Sequence, residues 1–154
     1  MKRTVFVVAA AAAALILPAA GSTYGVPLRE TVTVTADEPI PNLPGKRLVS
    51  HVVGYSPGAN STAHRHGSST FIYAYIPLGE IRSQVDGEPA RVYRAGEAWF
   101  ERPGAHHRVS ANASDTEPAR LLAVFIVDAA DEQLTIPDPQ YKNRTEGHVP
   151  CRSG

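Results

Sequence analysis

The chain has 154 residues with 15 basic and 15 acidic side chains, which is long enough for one domain with a hydrophobic core. No basic stripe or acidic tail interrupts this balance, so we expect no nucleic-acid partner. The single cysteine, Cys151, cannot form an internal disulfide. The 13 prolines and 12 glycines are spread along the chain, which is typical of many turns between short elements.

The N-terminus has the pattern of a targeting segment. A positive start, Met1 to Arg3, is followed by an apolar, alanine-rich run and then by small residues. Residues 1–21 are therefore predicted to be a secretory signal peptide, cleaved between Ala19 and Tyr24. The apolar run is short for a membrane-spanning helix. We expect a secreted or periplasmic protein with no stable membrane insertion after cleavage.

The rest of the chain has the alternation and residue types of β-strands separated by turns. The predicted strands are 31–35, 46–55, 71–76, 80–85, 90–94, 98–101, 107–110 and 121–127. Asp86-Gly87 is a strong hairpin signal, and the continuous apolar run 121–127 predicts a strand that is buried on both faces. This organisation predicts an all-β sandwich or barrel. Residues 22–45 form an N-terminal strand and loop, 46–130 the barrel, and 131–154 a polar, loosely held tail.

Two histidine-bearing stretches stand about forty residues apart. His64 and His66 are two residues apart, so on a strand both side chains point to the same face and can bind one metal ion. The second stretch ends in His106 and His107. Neighbours on a strand face opposite ways, so only one of this second pair is expected to reach the same site.

These stretches resemble the two sequence motifs of the cupin superfamily. Gly58, His64 and His66 match the first motif, and Gly96, Pro103-Gly104, His107 and Asn112 match the second, with Arg102 in place of a proline. The resemblance covers residues 46–128 and implies a double-stranded β-helix, the cupin jelly-roll barrel. It selects His107 over His106 as the third metal ligand. It also implies a homodimer, since cupins often pair through their sheets.

The glutamate of the first motif is absent, because its position falls on Thr70 or Phe71. The metal then has three histidines, His64, His66 and His107, or needs a fourth ligand from elsewhere. Glu101 and Glu80 are predicted to be surface strand residues, and a site without a carboxylate favours anionic, chelating substrates. Three imidazoles suit one divalent transition metal, namely Fe, Cu, Mn, Ni or Zn. The predicted pocket residues are Thr70, Ile72, Gln84 and Trp99.

Three functions are compatible with such a site. The first is a dioxygenase-like oxidoreductase acting on a small organic molecule, with the metal as redox partner. The second is a non-redox isomerase, cyclase or lyase that uses the metal as a Lewis acid. The third is a non-catalytic barrel that binds a metal or a small molecule, and the substitutions at Thr70 and Arg102 favour it. The first of these functions requires no protein nucleophile.

Overall fold

The computed structural model describes residues 29–139, in which ten β-strands carry the fold. Their bounds are β1 Glu30–Pro39, β2 Lys46–Tyr55, β3 His64–His66, β4 Phe71–Leu78, β5 Glu80–Val85, β6 Arg91–Arg94, β7 Ala98–Glu101, β8 His106–Asn112, β9 Ala119–Asp128 and β10 Thr135–Pro137. They form two antiparallel five-stranded sheets with the orders β1-β2-β9-β4-β7 and β10-β3-β8-β5-β6. The all-β, double-stranded β-helix predicted from the sequence is confirmed.

The strand phases follow the sequence pattern in most places. On β4, Ile72, Ala74 and Ile76 are buried, whereas Phe71 and Tyr73 are exposed on the opposite face. The predicted hairpin joins β5 to β6, and Asp86 takes the positive φ of 51° that its turn requires. The prediction for β9 is only half right. Residues 121–127 alternate between buried and half-buried, because only one face of this central strand packs against the core.

The core consists of two clusters of buried side chains. One contains Ile76 and Ile81, which are fully buried, and the other contains Val49, Ile72 and Phe125. Burial of each such side chain stabilises the fold by about 1.5–3 kcal/mol. The second cluster reaches the histidines, because the ring centroids of Phe125 and His66 lie 5.9 Å apart. The core cluster that contains Phe125 therefore supports the histidines of the candidate site.

The first glycine of each histidine motif lies in a turn and has a backbone conformation that residues with a side chain rarely adopt. Gly58 has a φ of 71° and Gly96 a φ of 92°, and at these angles glycine has no Cβ to clash with the backbone. The two turns lead the chain toward β3 and β7. The glycines are thus needed for the path of the backbone, and the chemistry lies in the residues that follow them.

The beginning of the predicted C-terminal tail differs from expectation. Residues 135–137 form β10 and pair with β3, with Thr135 opposite His66 and Pro137 opposite His64. Ser69 donates a hydrogen bond to Asp131, and Arg47 donates one to the carbonyl oxygen of Asp131 over 2.5 Å. This part of the chain is therefore held against the barrel.

Residues 1–28, with the predicted signal peptide, and residues 140–154, with Cys151, lie outside the described part of the chain. Between residues 29 and 139, no helix combines the length and the apolar character needed to cross a membrane.

Candidate metal centre

Three histidines converge inside the barrel. His64 and His66 lie on β3 and His107 lies on the neighbouring strand β8, directly opposite His64. One ring nitrogen of each lies within 4.8 Å of the others. His66 and His107 are buried, with 5% and 3% of their surface exposed, and His64 is half-buried. Such a group could hold one metal ion.

Backbone carbonyls fix the rings of the two histidines on β3. The Nδ1 atom of His64 lies 2.7 Å from the carbonyl oxygen of Thr62, and Nδ1 of His66 lies 3.0 Å from that of Leu134. A carbonyl oxygen only accepts hydrogen bonds, so Nδ1 carries the proton in both rings. In the neutral imidazoles the lone pair is therefore on Nε2, which is how metal-binding histidines are commonly oriented.

His107 is held on both sides by side chains. Its Nε2 lies 2.9 Å from the hydroxyl of Ser83, and its Nδ1 lies 3.3 Å from Oε1 of Glu101. Burial lowers the pKa of His107 to about 4, although the charge of Glu101 acts in the opposite direction. Burial also lowers the pKa of His64. Both rings are therefore neutral at pH 7, the state in which imidazole binds a metal.

Glu101 is the functional residue that the sequence analysis misplaces. It is 2% exposed and points into the barrel, where Oε2 lies 3.1 Å from Nε2 of His66. The indole N–H of Trp99 donates a hydrogen bond of 3.1 Å to Oε1. Burial raises the pKa of Glu101, but the close approach of His66 and His107 and the hydrogen bond from Trp99 outweigh burial and lower the pKa overall. The expected surface carboxylate is an ionised, buried one.

The contact between His66 and Glu101 is chemically incomplete. With the proton of His66 on Nδ1, Nε2 presents a lone pair to Oε2 of Glu101, which is itself an acceptor. Both atoms are buried and neither has a hydrogen-bond donor. Such a pair needs either a second proton on His66 or a cation between the two atoms. The residues present therefore fit a metal ion held by three histidine nitrogens, with the carboxylate of Glu101 beside them.

A cavity of about 270 Å³ opens beside these residues. Its walls come from β1, β2, β4, β7 and β9 on one side and from β3, β8 and β10 on the other. Seven side chains give it an apolar wall: Val32, Val53, Ile72, Ala74, Leu121, Ala123 and Phe125. A largely apolar cavity with a few convergent polar groups is typical of a small-molecule site.

Of the four predicted pocket residues, the cavity wall includes Ile72 alone. Thr70 is fully buried beside Gly67, and a Cβ added to that glycine would lie 3.0 Å from the Thr70 hydroxyl. Gln84 lies out of phase on β5 and donates a hydrogen bond to the carbonyl of Glu88. Trp99 is buried behind the site, where it holds Glu101.

The remaining described histidines lie apart from the cluster. His106 faces away from His107, as the alternation of a strand requires, and its Nε2 lies 2.9 Å from Oδ2 of Asp138 just after β10. His51 lines the cavity, and its ring centroid lies 4.9 Å from that of Phe125. Neither supplies a ring nitrogen to the group of three.

Comparison with known proteins gives the same fold. The family model described as "Cupin domain" matches residues 51–125. The cupin domain of Cnp3 from Schizosaccharomyces pombe is 17% identical, with a TM-score of 0.53 over 68% of this chain and 66% of that one. A double-stranded β-helix protein of Klebsiella pneumoniae is 18% identical, with a TM-score of 0.52 over 75% and 86% of the two chains.

An oxalate oxidase in complex with glycolate is also similar, at 24% identity and a TM-score of 0.50 over 66% of this chain. The aligned region spans about half of that enzyme, 52% of its chain. No curated protein matches the sequence. At these identities the likeness is one of fold, and one fold can support many functions.

Proposed function

The chain belongs to the cupin superfamily, and from this premise we propose that it is a metal-dependent oxidoreductase, of the dioxygenase kind, that acts on a small organic molecule. The observation that carries the proposal is the buried pair of acceptors, Nε2 of His66 and Oε2 of Glu101, beside two further histidines. The donor set suits Fe, Cu, Mn, Ni or Zn. A redox metal, when bound, would supply electron transfer and Lewis-acid chemistry.

The side chains around the site would bind the metal ion and orient the substrate. His64, His66 and His107 would hold the ion through ring nitrogens, and the carbonyls of Thr62 and Leu134 would keep the first two rings in place. The apolar walls would hold the body of the substrate and exclude water. No nucleophilic side chain is needed for this chemistry.

A second function is favoured by Glu101. Its Oε2 has no hydrogen-bond donor, and the residue lines the cavity. A carboxylate in this position can take a proton from a bound substrate and return it at another atom, as an isomerase, cyclase or lyase requires. Such an enzyme would work with Zn and without oxygen. Oxygen uptake with Fe or Cu, against turnover with Zn under anaerobic conditions, separates the two functions.

The first test is the metal content of the purified protein and of His64→Ala, measured by elemental analysis after reconstitution. We expect about one equivalent in the wild type and a loss of most of it in the variant. His106→Ala is the matched control, because this histidine is on β8 but faces away from the group. No metal in the wild type, or equal loss in the control, would overturn the proposed site.

The homodimer that the resemblance implies stays a prediction. Light scattering coupled to size-exclusion chromatography of the purified protein tests it directly.

A further inference from the structure

A second polar group lies in the same cavity, formed by residues that the metal centre does not use. The phenol oxygen of Tyr55 on β2 lies 2.6 Å from the hydroxyl of Ser61 and 2.8 Å from that of Ser110 on β8. The Ser61 hydroxyl in turn donates a hydrogen bond of 2.5 Å to Oε1 of Glu30 on β1. All four residues line the cavity. We call them the Glu30 network.

The direction of each hydrogen bond in the Glu30 network follows from the number of protons available. The carboxylate of Glu30 only accepts, so Ser61 uses its single proton there. Ser61 must then accept from Tyr55, and Tyr55, having given its proton, must accept from Ser110. Burial raises the pKa of Tyr55, so the phenol keeps its proton. Each hydroxyl thus donates its hydrogen bond to the next group in the order Ser110, Tyr55, Ser61 and Glu30.

This order leaves the network with acceptors only. The hydroxyl protons of Ser110, Tyr55 and Ser61 are all committed, and what remains for a ligand is the second oxygen of Glu30 and the unused lone pairs of the hydroxyl oxygens. None of the described residues lining the cavity is a lysine or an arginine, while Glu30 and Glu101 both carry a carboxylate. A second carboxylate on the ligand would meet like charge and find no donor among these four residues.

We infer that the Glu30 network is the recognition site for the far end of the substrate, and that it selects a hydroxyl or amine group and rejects a carboxylate. The inference rests on the proposed function, in which the other end of the substrate is held at the histidines. The substrate class is then a small molecule with one end that binds at the histidines, an apolar body and a hydrogen-bond donor, not a carboxylate, at the far end. A dicarboxylate is therefore disfavoured, whereas a single anionic group at the histidines stays compatible with the site.

Calorimetric titration of the zinc-loaded protein with four short probes tests this selection. The probes are butyrate, γ-hydroxybutyrate, γ-aminobutyrate and succinate, which share one carboxylate and differ at the other end. We expect the hydroxyl and amine probes to bind about tenfold more tightly than succinate, the effect of one lost hydrogen bond to a charged group. Equal or tighter binding of succinate, or no binding of any probe to the loaded protein, overturns the inference.

Glu30→Gln tests the assignment to this residue. It is expected to remove most of the preference against succinate, because the amide has no charge and can donate to a carboxylate. Glu38→Gln is the matched control, since Glu38 is an exposed carboxylate on the same strand and is absent from the cavity wall. Circular dichroism of both variants checks that the fold is kept. A preference that survives Glu30→Gln, or that is lost in the control, contradicts the assignment.

Failure of this inference can be told apart from failure of the proposed function. The zinc content is measured in the same samples, and its absence counts against the metal centre alone. In that case butylamine and butyrate are compared on the metal-free protein. Tighter binding of the amine, lost in Glu30→Gln, supports the Glu30 network without any metal, and equal binding of the two overturns it.

Discussion

Removal of the metal should make the stability of this protein depend on pH through His107. The folded chain lowers the pKa of His107 from 6.5 to about 4 by burying its ring. The unfolded chain takes up the proton near pH 6.5, and the folded chain does so only near pH 4. Below pH 6.5 the unfolded state thus binds more protons, so stability is full above pH 6.5 and is lost as the pH falls to about 4.

The size of this effect follows from the shift. Each pKa unit corresponds to 1.36 kcal/mol, so a shift from 6.5 to about 4 amounts to about 3 kcal/mol of unfolding free energy. The lowered pKa values of His51 and His64 act with the same sign. The contribution of His107 to stability is therefore taken as the difference in unfolding free energy between the wild type and His107→Gln.

Urea unfolding of the chelator-treated protein at pH values from about 7.5 to about 4 provides the assay. The difference in unfolding free energy between wild type and His107→Gln should narrow by about 3 kcal/mol over this range. Far-ultraviolet circular dichroism shows whether the variant is folded at the upper end of the range. A difference that stays constant with pH would refute the argument that burial keeps this ring neutral.

Four other perturbations have defined outcomes. Glu101→Gln should weaken metal binding about 10- to 100-fold. Trp99→Phe should weaken metal binding less, because this variant removes only the indole N–H that holds Glu101. Competition with a chromogenic chelator measures the metal affinity of both variants. A chain ending at Gln133 loses the Leu134 carbonyl that orients His66 and should also bind metal more weakly in the same assay, whereas an unchanged affinity would show that β10 is not needed. Ile76→Ala should cost about 2–5 kcal/mol in urea unfolding and leave the metal stoichiometry unchanged, since Ile76 is fully buried in the other core cluster.

The fold and the histidine cluster can be predicted from the sequence because they depend on patterns among residues that are close together in the chain. Two residues of separation on a strand set the direction of His64 and His66, and the same alternation separates His107 from His106. Turns with glycine at a positive φ mark where each motif begins. These signals are local, so they do not require knowledge of how the sheets pack.

Glu101 shows where that reasoning fails. A charged residue on a short strand is expected at the surface because such residues are seldom buried without a partner. The period of β7 contains the opposite signal, since Trp99 and Glu101 are two residues apart and share a face. Ser83 is missed in the same way. The sequence favours Gln84 as the pocket residue, but on β5 it is the neighbouring Ser83 that faces inward and contacts His107.

The contribution of β10 cannot be predicted from the sequence. The three residues Thr135, Ile136 and Pro137 are too few for a periodic signal, and a proline argues against a strand. Their position depends on a pairing with β3 that spans about seventy residues of chain. Only the assembled barrel brings the Leu134 carbonyl to His66.

Two walls of the cavity come from outside the region that the cupin family model matches. Glu30 and Val32 precede residues 51–125, and Thr135 and Pro137 follow them. The histidines and Glu101 lie within the matched region. The three histidines and Glu101 thus lie in one stretch of the chain, whereas part of the cavity wall, including Glu30, comes from the two stretches that flank it. Exchange of the flanking stretches between relatives offers a route to new ligand preferences that keeps the three histidines and Glu101 in place.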